Sequence, residues 1–191
     1  FTTMAVAVII AVTLGVLAAW KAGSLLDRAV MGLAVTGFSV PVFVIGYVLI
    51  YIFAIELQWL PVQGYRRLLG PSSEGVGAWA QQLVLPWVTL CTIYVALIAR
   101  VTRASVSEAL TEDYIRTARA KGVTEQVVLL RHALANAAVP IVTVIGIGIA
   151  LLIGGVVVTE TVYAIPGLGS LTVDAVLNRD FPVIQGVVLF F

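Results

Sequence analysis

The sequence predicts an all-α, polytopic transmembrane helical bundle, and three observations predict it. The mean hydropathy is +1.09 over 191 residues, with 61% of them hydrophobic and only 11% charged, which is more apolar surface than one compact soluble core can hide. Four runs carry no formal charge: Met4 to Trp20, Val30 to Ile55, Leu83 to Ala99 and Ala137 to Val158. Each is close to the ~20 residues that cross the hydrocarbon as a helix. The runs are about twice the length of a barrel strand and do not alternate in polarity, so helices, which satisfy their own backbone, are the expected solution in lipid.

In the first run Ala7, Ala11, Gly15 and Ala19 recur at every fourth position, a smooth strip where another backbone can approach closely. Pro41 lies inside the second run, where its missing N–H and its ring predict a kink near Gly37 to Ser39. Leu60 to Gly77, between the second and third runs, is rich in Gly, Pro and Ser and reads as irregular. Gly146, Ala150 and Gly154 make a second small-residue strip in the fourth run, also expected to be a packing seam. Beyond it, PGLGS at 166–170 reads as a turn, and LTVDAVLN as a short amphipathic helix near the interface. A fifth apolar run after Asp180 reaches Phe191 within about ten residues, roughly half a span. Phe1 opens inside an apolar run without a basic n-region or cleavage site. The chain therefore reads as an internal fragment of a longer membrane protein.

Alternating the four spans puts Lys21, Arg28, Arg100, Arg103, Arg116, Arg119, Lys121 and Arg131 on one side, and Arg66, Arg67 and Arg179 on the other. By the positive-inside rule the richer side is cytoplasmic. The loops at 56–82 and 159–181 are then external.

Charge concentrates in YIRTARAKGVTEQVVLLRHAL, Tyr114 to Leu134. Burying its charged groups at a helix centre would cost ~2.5 to 3.5 kcal/mol for each basic or acidic residue, so the stretch lies outside the bilayer. Glu108, Glu112 and Asp113 precede Arg116, Arg119 and Lys121, the order a helix dipole prefers, and Glu112 with Arg116 has i, i+4 spacing. Gly122 fits the left-handed position that ends a helix, and Thr124 with Glu125 fits the cap of the next. The pattern predicts a helix, a glycine turn and a second helix from Glu125 that runs through Asn136 and Pro140 into the fourth span. A solvated loop that fixes topology by its positive charge accounts for these residues as well.

Other chemistry is thinly represented. No ionisable residue lies in the middle of a span, as an ion-driven carrier would need, and Glu56 and Glu160 read as interfacial carboxylates at span ends. His132 is the sole histidine, Cys91 the sole cysteine, and no H-E-x-x-H or G-x-x-x-x-G-K-[ST] occurs. No catalytic residue, metal site or nucleic-acid partner is expected, and a channel or scaffold subunit stays open on composition.

DYIRTARAKG followed by VTEQVVLLRHALANAAVPIVT resembles the cytoplasmic loop of the membrane subunits of ATP-binding-cassette importers, specifically the first, B-type permease subunit of dipeptide and oligopeptide systems. ETVYAIPGLGSLTVDAVLNRDFPVIQGVVLFF is similar to that subunit's outer loop and last helix, and GSLLDRAVMGLAVTGFSVPVFVIG to its earlier inner loop and helix. In the wider family the loop reads Glu-Ala-Ala, three residues, Gly, nine residues, Ile-x-Leu-Pro. Here Arg116, Thr117 and Ala118 stand for the first three, Gly122 is the glycine, and His132, Ala133, Leu134 and Ala135 stand for the last four, a departure itself similar to the peptide-permease branch.

The resemblance implies a type I ABC importer permease fold, with 1–191 a single partial transmembrane domain and a coupling loop at about 104–135. It implies that the helix Asp113 to Lys121 docks on a cytoplasmic ATPase. Asp113, Tyr114, Arg116, Thr117 and Lys121 would be contacts, Ala118 would permit close approach, and Gly122 would set the angle to the next helix. Glu160, Pro166, Gly167 and Gly169 would belong to an outer gate or loop. The implied partners are a second permease subunit, two ATP-binding subunits that carry ATP and Mg, an extracytoplasmic solute-binding protein and the bilayer of a bacterial or archaeal inner membrane. This chain is expected to bind no cofactor of its own. The implied cargo is dipeptides or oligopeptides, with nickel or another small solute as the alternative.

Overall fold

The computed structural model describes residues 2–65, 75–153 and 157–190. Among these every regular element is helical. Arg66 and Arg67, the middle of the irregular stretch, and Gly154 of the second small-residue strip lie outside the described residues.

Helix α1 is Thr2–Trp20, α2 is Leu25–Ser39, and α3 is Val42–Leu49, which widens into π-helical turns over Ile50–Glu56. Helix α4, Val76–Ala109, has 34 residues. At ~1.5 Å per residue it is about 50 Å long, well beyond the ~30 Å hydrocarbon. The helix therefore reaches past the charge-free run into Arg100 and Arg103, and it starts one residue before Gly77, where the sequence reads as irregular. Helix α5 is Asp113–Ala120. Helix α6, Glu125–Val127, passes through π-helical Val128–Ala133 into α7, Leu134–Ile153. The short helices α8 (Val157–Tyr163), α9 (Leu168–Leu177) and α10 (Phe181–Phe190) complete the described chain.

Among the described residues three helices are long and apolar enough to cross a membrane: α1, α4 and the continuous 28 residues of Glu125–Leu152. The second expected span is a broken pair, α2 and α3. Pro41 interrupts the helix instead of kinking it at Gly37 to Ser39. Proline lacks the N–H that would bond back along the helix, and it drives the preceding residue out of the α region. Pro41 takes φ −57°, ψ 138° and becomes the N-cap of α3, its carbonyl accepting from the Val44 and Ile45 N–H groups at 3.0 and 3.3 Å.

The chain forms two compact units, residues 1–39 with 91–149, and residues 40–90 with 150–191. In the first, Ala7, Ala11, Gly15 and Ala19 are all buried, as a seam requires. A Cβ added at Gly15 would stand 2.6 Å from Thr102 Cβ and 2.8 Å from the Ala99 carbonyl oxygen, so α1 meets α4 at backbone distance. The second strip behaves otherwise: Gly146 has nothing within 4 Å of an added Cβ, and Ala150 is exposed. The packed glycine of α7 is Gly148, whose added Cβ would meet Met4 Cε at 2.8 Å. Two residues turn a helix by ~200°, so Gly148 faces the core where Gly146 cannot.

In the second unit Ile50, Ala54, Leu85, Val162 and Tyr163 form the core. The Tyr163 hydroxyl lies 2.7 Å from Thr89 Oγ1 and 3.4 Å from the Gly46 carbonyl oxygen. Gln63 Nε2 and the Gly64 N–H donate to the carbonyls of Val162 and Tyr163 at 2.9 and 3.0 Å, satisfying the end of α8 that its own helix leaves open.

Candidate functional site

The charged elbow is built in the first unit. After α4, the Thr111 hydroxyl donates to the Glu108 carbonyl at 2.7 Å, and Glu112, with φ −69° and ψ 152°, starts α5. Ile115 and Ala118, three residues apart and hence on one helix face, are buried in a cluster with Val16, Ala19, Val106, Ala109, Val128 and Leu129. Burial of that face fixes which side of α5 is presented outward. Asp113, Tyr114, Arg116, Thr117 and Lys121 are exposed. Ala118, unlike these candidates, is buried, and the close approach that its small side chain allows is to the chain's own core.

Arg116 pairs with Asp113 (Nη1 to Oδ1 3.1 Å) instead of Glu112. Glu112 occupies the extended cap position, outside the helical spacing that would bring it over Arg116. The Thr117 hydroxyl donates to the Asp113 carbonyl at 3.0 Å.

Gly122 takes φ +76°, the left-handed conformation that glycine adopts without a Cβ penalty. Its N–H donates to the Arg119 carbonyl at 2.9 Å and the next N–H, of Val123, to the Ala118 carbonyl at 3.2 Å. This is the Schellman arrangement, and Val123 packs on the same cluster that holds Ala118. Thr124 sits at the N-cap of α6 with extended backbone but makes no side-chain cap bond. Glu125 also departs from the expected capping role, because Arg119 reaches across the turn to it. Arg119 Nε donates to Glu125 Oε1 at 2.8 Å and Nη2 to Oε2 at 3.1 Å. These bonds hold the Glu125 carboxyl below the usual carboxylate range and raise the Arg119 guanidinium above its ordinary value. Nothing in the sequence beyond opposite charges flanking a glycine announces the pair.

Sequence reasoning also misses Asp27. It is buried in the first turn of α2 and accepts both arms of Arg103, Nε to Oδ1 at 3.1 Å and Nη2 to Oδ2 at 2.9 Å. The Gly23 N–H adds a third bond to Oδ2 at 2.9 Å. The sequence signal is slight: one acid among apolar residues after a Gly-Ser turn.

Glu160, Pro166, Gly167 and Gly169 do come together, in the second unit. Glu160 Oε2 accepts from the Ser170 N–H at 2.7 Å, and the Gly167 N–H donates to Ser170 Oγ at 3.0 Å. Gly167 is the N-cap of α9, so Glu160 serves as a second cap reaching in from α8. A Cβ added at Gly167 would overlap the Glu160 carboxylate, and one added at Gly169 would lie 2.8 Å from Val157 Cα. The two glycines therefore make room for the carboxylate and for the contact between α8 and α9. Glu160, Pro166, Ser170 and Asp174 line an open pocket of about 350 Å³. Among the described residues no three of His, Cys, Asp and Glu gather in metal-binding range.

Residues 11–191 match the family described as binding-protein-dependent transport system inner membrane component. The chain is 55% identical over 187 residues to the probable peptide ABC transporter permease protein y4tP of Sinorhizobium fredii (strain NBRC 101917 / NGR234), an alignment covering 98% of this chain and 58% of that protein. It is 45% identical over 190 residues to the glutathione transport system permease protein GsiC of Escherichia coli (strain K12), covering 100% of this chain and 58% of that one. GsiC of Shigella dysenteriae serotype 1 (strain Sd197) matches equally, at 45% over 190 residues with the same coverage of 100% and 58%. The chain thus spans 58% of the length of these curated relatives. With its apolar helices and these relatives, this multi-pass membrane chain belongs to the family of inner membrane components of binding-protein-dependent transport systems.

Proposed function

We propose that this chain is part of the permease subunit of an ABC importer which, paired with a second permease subunit, forms the membrane pathway for dipeptides and oligopeptides. The observation that carries the reading is the elbow: a charged helix, packed on a core shared with α1, α4 and α7, whose partner helix runs unbroken for 28 residues into an apolar span. Such continuity supports a lever, because movement of α5 is passed to a membrane helix without an intervening flexible loop. In this reading the elbow faces the cytoplasm, and one of two ATP-binding subunits grips α5 through Asp113, Tyr114, Arg116, Thr117 and Lys121. ATP and magnesium belong to those subunits. Closure of the ATPase pair moves the elbow, and the attached spans exchange inward-facing for outward-facing access. An extracytoplasmic binding protein delivers the cargo on the opposite side, where Glu160, Pro166, Gly167 and Gly169 form part of the outer gate.

The named relatives support a small-peptide cargo, glutathione being itself a small peptide, and their bacterial sources support a place in a bacterial inner membrane. The test is ATP-dependent uptake in proteoliposomes that hold both permease subunits and the ATP-binding subunits, supplied with the cognate binding protein. Dipeptide, longer peptide and nickel are compared as cargo. Peptide uptake is the expected result. Nickel uptake without peptide uptake would overturn the cargo assignment, and failure of ATP-binding subunits to co-purify would overturn the importer reading.

A further inference from the structure

We propose that Arg119 and Glu125 are a brace that fixes the angle between α5 and the helix starting at Glu125, so that the pair positions the lever for coupling. This rests on the reading of α5 as the ATPase-docking helix. Three features of the elbow carry it. The pair spans the turn itself: its two residues flank Gly122, and two parallel bonds of 2.8 and 3.1 Å join them. A bidentate guanidinium–carboxylate fork restricts direction as well as distance, which a single point contact does not.

The pair also sits where a fold gains little from it. The side chains are 43% and 51% exposed, and ion pairs this wet contribute little to stability. The elbow's folding is secured elsewhere, by Ile115, Ala118, Val123 and Val128 on the buried side. Finally, among the described residues no side chain packs against Gly122 from the outside. Gly122 has nothing within 4 Å of an added Cβ, and the apolar contacts beneath are non-directional. A pull on α5 that opened the turn at Gly122 would be opposed on that side by the fork.

Arg119→Lys separates a brace from a mere charge, since lysine keeps the charge and loses the fork. In the assembled importer, Arg119→Lys and Glu125→Gln are expected to leave ATP-binding subunits co-purifying at wild-type levels. Cargo moved per ATP hydrolysed should fall by about two- to tenfold, the range that changes in coupling produce. The exchanged pair, Arg119→Glu with Glu125→Arg, should recover most of the loss. Spin labels at Ala120→Cys and Ala135→Cys, in a Cys91→Ser background, should report one narrow distance in the parent and a broadened distribution in Arg119→Lys. Wild-type transport per ATP in both single variants, with the ATPase bound, would overturn the brace while leaving the docking reading intact. Loss of the ATPase from the parent complex would instead overturn the docking reading.

Discussion

Arg103 holds Asp27 by both guanidinium arms, at 3.1 and 2.9 Å, and only one of the two residues is out of water: the arginine side chain is 33% exposed and the aspartate 6%. The pair ties the turn between α1 and α2 to the C-terminal part of α4. Its asymmetry makes a prediction about which half matters more. Arg103→Gln leaves a buried carboxylate with the Gly23 N–H and only the weaker, more distant charge of Arg28, a situation that costs about 3 kcal/mol or more. Asp27→Asn leaves an arginine that can swing toward water, at a cost of about 1 to 2 kcal/mol. Thermal unfolding of the purified complex should therefore show the larger drop for Arg103→Gln. Equal drops, or the reverse order, would show that the buried carboxylate is not the costly element.

The two small-residue strips give a second contrast. Gly15→Val would drive two methyl groups into Thr102 and the Ala99 carbonyl, and overpacking of a tight contact costs about 1 to 3 kcal/mol or more. Gly146→Ala adds a methyl into open space and gains helix propensity of about 1 kcal/mol. Monodisperse yield in detergent should collapse for the first variant and hold for the second. Retention of folded protein by Gly15→Val would show that α1 and α4 separate easily.

The elements that periodicity and charge-free length define are legible in the sequence: α1, the inner part of α4, and the run from Glu125 into α7. So is the glycine turn, because only a left-handed residue ends α5 as Gly122 does. Facing is legible in α1, whose small-residue strip is buried, but not in α7. Gly146 and Gly148 both read as small residues in an apolar helix, and only the packing of Met4 and Tyr94 tells them apart. Pairing at the elbow escapes the sequence for a related reason. Helical spacing favours Glu112 with Arg116, yet Glu112 is the residue at which the helix has not begun, and Arg119 finds its partner across a turn that no spacing rule covers. Pro41 is recognisable as a disruption, but whether a proline bends or breaks a helix depends on what its neighbours pack against.

Glu160 reaches from α8 to cap α9, so its loss should be felt one helix away. Glu160→Ala removes the acceptor of the Ser170 N–H, and loss of a cap costs about 1 kcal/mol. Gly167→Ala should act through the same bond, since its methyl occupies the space of the Glu160 carboxylate. Amide exchange at the first turn of α9, Leu168 to Leu171, is expected to accelerate in both variants, with α5 unaffected. Unchanged protection in Gly167→Ala would mean that the carboxylate is not needed where the structure puts it.

Gly122 closes the elbow by conformation alone. With open space around it and φ at +76°, a substitution there meets no neighbour and costs only what the left-handed backbone imposes, about 1 to 2 kcal/mol for an ordinary residue. A β-branched side chain is worse still. Gly122→Val should therefore leave the buried cluster of Ile115, Ala118 and Val128 folded while shifting the turn, and Gly122→Asn, which tolerates this region, should be the mildest change. The order expected in ATP-dependent uptake is the parent first, then Gly122→Asn, then Gly122→Ala, then Gly122→Val, with thermal stability varying much less than transport. If uptake followed stability step for step across the series, the glycine would matter only to folding. If the Gly122→Val variant transported as well as the parent, the angle at this turn would have no part in coupling.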